Sequence, residues 1–66
     1  MKINKTKMSL AMLKAGVLNQ KELAVKASLS ENTISTLARG ATAKLDTIGK
    51  IAFALGVEPA ELIEEG

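Results

Sequence analysis

Sixty-six residues make at most one small domain, and chains of this size bury only about 60% of the surface their unfolded form exposes. With no Cys and no His, disulfides, the usual zinc sites and Ser–His or Cys–His nucleophile pairs are excluded, so apolar packing must hold the fold and no enzyme is expected. The net charge of +2 is unevenly divided. All nine Lys and Arg lie in residues 1–57 against Glu22, Glu31 and Asp46, a surplus of +6, whereas residues 58–66 hold four Glu and no base. A basic body with an acidic end suits a surface that meets phosphates and a tail that faces away. No apolar run approaches the ~18 residues of a membrane span, residues 1–3 do not open a signal peptide, and the lack of Cys fits a cytoplasmic protein.

One Pro, one aromatic and no alternating β-branched run give strands little support, so the chain reads as all-α. A helix-start pattern recurs: an apolar residue, a capping residue, then an apolar residue four places into the helix. Ile3-Asn4 with Met8 is the first. Leu18-Asn19 with Leu23 is the second, where Glu22 completes a pair resembling a capping box with Asn19. Leu29-Ser30 with Ile34 is the third, and Val57-Glu58 with Leu62 the fourth, with Pro59 at the first helical position.

Gly16, Gly40 and Gly56 mark helix ends. A further helix runs over about 45–55, where Ile48, Ile51, Ala52 and Leu55 share a face; Thr42, Lys44 and Asp46 are all possible starts. Gly49 inside it costs roughly 1 kcal/mol against Ala, which close helix packing would explain. Five short helices result. Their expected core is Met8, Met12, Leu13, Leu18, Leu23, Ala24, Ala27, Leu29, Ile34, Leu37, Ile48, Ile51, Ala52, Leu55, Val57 and Leu62.

The informative stretch is 20–39. Two helices, about 20–27 and 31–38, are separated only by Ser28-Leu29-Ser30, and so short a turn makes them cross steeply. Ala24 is small enough to sit where they touch. Leu29, Ile34 and Leu37 anchor the second helix and Ser30 caps it. That leaves Glu31, Asn32, Ser35, Thr36 and Arg39 as one polar stripe facing outward, the kind of surface that major-groove readout needs.

At this point a resemblance becomes definite. The segment LNQKELAVKASLSENTISTLARG resembles the helix-turn-helix of the Cro/repressor (XRE-like) family, and KIAFALGVEPAELI is similar to that family's closing helices; together they span about residues 3–64. The resemblance implies a five-helix, lambda-repressor-like domain over residues 1–66, with the helix-turn-helix in helices two and three and an acidic end at 58–66. It implies a regulator, most simply a repressor, that binds double-stranded DNA in the major groove.

By position, Gln20 would hold a phosphate, and Glu31, Asn32 and Thr36 would reach base edges with Thr33 and Ser35 beside them. Asn32 suits adenine, and Glu31 suits a cytosine amino group. Arg39, Thr42 and Lys44 would approach the DNA backbone with the N–H groups that start the fourth helix, and Lys5 and Lys21 are further phosphate candidates. Binding to a pseudo-palindrome implies a weak homodimer through Val57, Glu58 and Pro59, joined by Phe53. No cofactor, metal, membrane or small-molecule ligand is expected.

The chain departs from the family pattern in four places. Ser28 stands where Gly is common and must then tolerate a strained backbone. Leu13 and Ala38 stand where many members pair Arg with Glu, so an apolar contact is expected in place of the ion pair. The stripe has no Arg or Lys before Arg39, and Glu31 repels phosphate, which predicts modest affinity and low non-specific binding. Phe53 falls off the buried face of its helix: it is either an exposed contact patch or buried against the fifth helix. A protein-binding module, such as an antitoxin or anti-regulator working through Phe53 and the acidic end, is the alternative function.

Overall fold

In the computed structural model, which describes residues 1–64, three of the four α-helices begin where a side chain takes up a backbone N–H that the helix leaves unpaired. For α1 (Lys5–Ala15) the Asn4 Oδ1 accepts from the Lys7 N–H at 3.0 Å. For α2 (Gln20–Ala27) the Asn19 Oδ1 accepts from the Glu22 N–H at 2.9 Å. For α3 (Glu31–Ala38) the Ser30 Oγ accepts from the Thr33 N–H at 3.1 Å. The fourth, α4 (Leu45–Leu55), starts after Lys44 with no side-chain cap, which selects Lys44 among the three possible starts.

The ends follow equally local rules. Gly16 and Gly56 close α1 and α4 in the left-handed region, at φ 74° and 69°. Ser28 closes α2 at φ 58°, ψ 39°, the one non-glycine with positive φ among the described residues. The left-handed conformation costs an L residue about 1–2 kcal/mol, and it turns the chain into α3 within three residues.

α2 packs on α3 and α4, and α1 packs on α4 and on a 3₁₀ turn at Pro59–Glu61. Met8, Leu23, Ile34, Ile48, Ile51 and Leu62 are the largest fully buried side chains, and no polar or charged side chain among the described residues is buried. The two ends of the domain are stitched together. Ile3 pairs with Ile63 and Lys2 with Thr42 in isolated antiparallel bridges, and the Asn4 N–H donates to the Leu62 carbonyl at 2.7 Å.

Several expectations need correction. The fifth helix is only the 3₁₀ turn: the Leu62 N–H closes an i→i+3 bond on Pro59, and the chain then leaves to pair Ile63 with Ile3. Leu18 is 82% exposed, so no staple forms with the fully buried Leu23; Val17 fills the buried position before the cap. Glu22 accordingly accepts from the Leu18 N–H, at 2.8 Å, rather than from that of Asn19.

Leu13 is 74% exposed, so an apolar contact with Ala38 does not stand in for the ion pair. Met12, Leu29 and Val57 are half-buried and pack at the edge of the core, while Ile3, Ala11, Val17 and Ala43 join it unannounced. Gly49 faces open space: a Cβ there would meet nothing within 4 Å, so close helix packing is not its reason. Phe53, at 90% exposure, is not covered by the C-terminal turn.

Candidate nucleic-acid interface

Ile34 and Leu37 hold α3 to the core at 0% and 5% exposure, and the opposite side of the helix is thereby turned outward. Glu31, Asn32 and Thr36 are exposed there, and Thr33 and Ser35 are half-buried at the margins. The Thr33 hydroxyl is hydrogen-bonded to the Ser30 hydroxyl at 2.7 Å, which ties it to the cap. Thr36 Oγ1 donates to the Asn32 carbonyl at 2.8 Å. Its proton is therefore engaged by the helix backbone, and it offers lone pairs and a methyl group outward. Glu31, the first residue of α3, also lies where a negative charge favours the helix dipole, so its carboxylate has a structural use besides any contact with a base.

A shallow groove runs between α3 and the segment leading into α4. Asn32, Thr33 and Thr36 line one side; Thr42, Lys44 and Thr47 line the other. The chain thus brings together three of the residues assigned to bases and two assigned to phosphates. Thr47, half-buried on the first turn of α4, was not singled out from the sequence. Its signal was its place three residues after Lys44, on the first turn of α4, which no side chain caps.

The remaining phosphate candidates stand apart from this groove. Gln20 is half-buried as the first residue of α2, and Lys5, Lys21 and Arg39 are exposed. Lys21 borders a different depression, with Val17, Val25 and Lys26. Of the candidate contact surface, Phe53, Glu58 and Pro59 are exposed and Val57 is half-buried, lining a groove with Leu10, Lys14 and Ala60. Part of the acidic end, residues 65 and 66, lies outside the described residues.

A tight helix pair with its second helix anchored by apolar residues and carrying a polar stripe outward defines a helix-turn-helix domain. The family model of the Cro/C1-type HTH DNA-binding domain matches residues 7–64, and the chain belongs to that family. No curated protein and no solved structure matches it closely. No helix among the described residues is long and apolar enough to cross a membrane.

Proposed function

We propose that this domain binds double-stranded DNA sequence-specifically and represses transcription, with α3 in the major groove. The observation that carries the reading is the shared groove: Asn32 and Thr36, exposed on an anchored helix, face across it to Thr42 and Lys44. Base-reading and phosphate-holding chemistry then sit one beside the other, as a groove-bound helix requires. Asn32 contacts adenine, Glu31 contacts a cytosine amino group, Thr33 and Ser35 border them, and Gln20, Lys5, Lys21 and Arg39 add phosphate contacts. The longest dimension of one copy is 28 Å, less than the ~34–36 Å between half-sites one helical turn apart. A palindromic operator therefore takes two copies, which meet through Phe53, Val57, Glu58 and Pro59.

Selection of bound sequences from a random duplex pool at two salt concentrations tests this. The reading requires a palindrome whose affinity falls with salt; weak retention without sequence preference would overturn it. On the recovered site, Asn32→Ala should cost about 1–3 kcal/mol at one base position, whereas Lys44→Ala should weaken all duplexes alike.

The 90% exposure of Phe53 favours a second reading, in which this surface captures another protein. Phe53→Asp separates the two. If Phe53 serves the dimer, the substitution weakens binding to a full palindrome and leaves binding to an isolated half-site unchanged. If DNA binding is unaffected on both, the surface serves a different partner.

A further inference from the structure

Side chains alternate along extended backbone, so neighbours point to opposite sides. Ile3 and Ala43 are buried, at 2% and 6% exposure, while the residues before them, Lys2 and Thr42, are both exposed. Lys2 and Thr42 are partners in an antiparallel bridge. Met1 and Ala43 exchange the flanking backbone bonds, at 2.6 and 3.4 Å. That makes Lys2 and Thr42 a non-hydrogen-bonded pair, the kind whose Cα atoms lie about 4.5 Å apart with side chains close together. Lys2 is fixed a second time through its carbonyl, which accepts from the Glu64 N–H at 2.9 Å. Thr42 in turn lines the groove that holds Asn32, Thr36 and Lys44.

We propose that Lys2 and Thr42 form, beside Lys44, a phosphate-binding site on the flank of that groove, and that it takes a phosphate of the DNA backbone. The inference rests on the DNA-binding reading above. An ammonium group with three donors and a hydroxyl, side by side on backbone held from two directions, suit a phosphate oxygen pair. Because the backbone of Lys2 is already fixed, only side-chain freedom is lost on contact. In the sequence Lys2 is one basic residue near the N-terminus; the bridge makes it part of the interface.

The test is the salt dependence of binding of one copy to an isolated half-site of the duplex recovered above, for the wild type, Lys2→Ala, Lys2→Arg and Lys14→Ala. Lys14 is a control for net charge, since it lines the groove beside Leu10 and Val57 instead. The log–log slope should flatten by about 0.9 in Lys2→Ala, so its deficit shrinks about 3.5-fold between about 50 and 200 mM salt. Lys2→Arg should restore the slope and Lys14→Ala should keep it. Phosphate ethylation interference should lose one sensitive position in Lys2→Ala, with thermal melting of the free protein unchanged. A wild-type slope in Lys2→Ala, or an equal loss in Lys14→Ala, overturns the site while leaving DNA binding intact. A wild type that binds no duplex overturns the DNA reading itself.

Discussion

At Gly49 an added methyl group would meet nothing within 4 Å beyond the backbone of its own helix, and the residue sits in the middle of α4 with ordinary helical backbone. Gly49→Ala should therefore stabilise the domain by about 1 kcal/mol through helix propensity alone, raising the melting temperature by about 4–8 °C. A fall in melting temperature would mean that Gly49 makes a close contact that alanine cannot. The exposed leucines make the opposite point. Leu13 and Leu18 carry side chains that a sequence reading sends inward, yet they are 74% and 82% exposed, because Met8, Ala11 and Val17 already fill the core on that side. Apolar character shows that a residue can be buried; which neighbour takes the space depends on the packing of helices far apart in sequence.

For whole helices, local chemistry was far more readable. Both limits of α1, the starts of α2 and α3 and the end of α4 follow from caps and terminal glycines, signals written within a few residues of each end. The start of α3 matters most, since it sets the outward direction of Asn32. Ser30→Ala removes the bond from the Thr33 N–H and the contact with the Thr33 hydroxyl, and should destabilise the domain by about 1 kcal/mol. Chemical denaturation checks the size, and faster amide exchange at Thr33 checks the place. The C-terminal turn was harder to read. A proline and a staple pattern look alike before one 3₁₀ turn and before a full helix, and the pairing of Ile63 with Ile3 that ends it leaves no periodic trace. The candidate site divides in the same way. Asn32 and Thr36 were legible as the residues left over once Ile34 and Leu37 were assigned inward. Thr47 was not, because a neighbouring helix carries it to the groove, and only the bridge to Thr42 brings the proposed Lys2 beside that groove.

Across the molecule, one apolar core with no buried polar side chain among the described residues joins the four α-helices, and Leu62 lies wholly inside it. Leu62→Ala should cost about 2–5 kcal/mol, against the ~3–10 kcal/mol that about 0.05–0.15 kcal/mol per residue gives a domain of this size. Its thermal transition should move down by 10 °C or more, or lose cooperativity. A small shift would mean that the C-terminal segment is dispensable to the core. The stitching of Ile3 to Ile63 also bears on how the protein is made. Synthesis delivers the helix-turn-helix before residue 62, and the core it needs stays open until that residue has left the ribosome. A nascent chain paused before that point holds α3 without the packing that aims it, so the helix-turn-helix gains its geometry only when Leu62 joins the core.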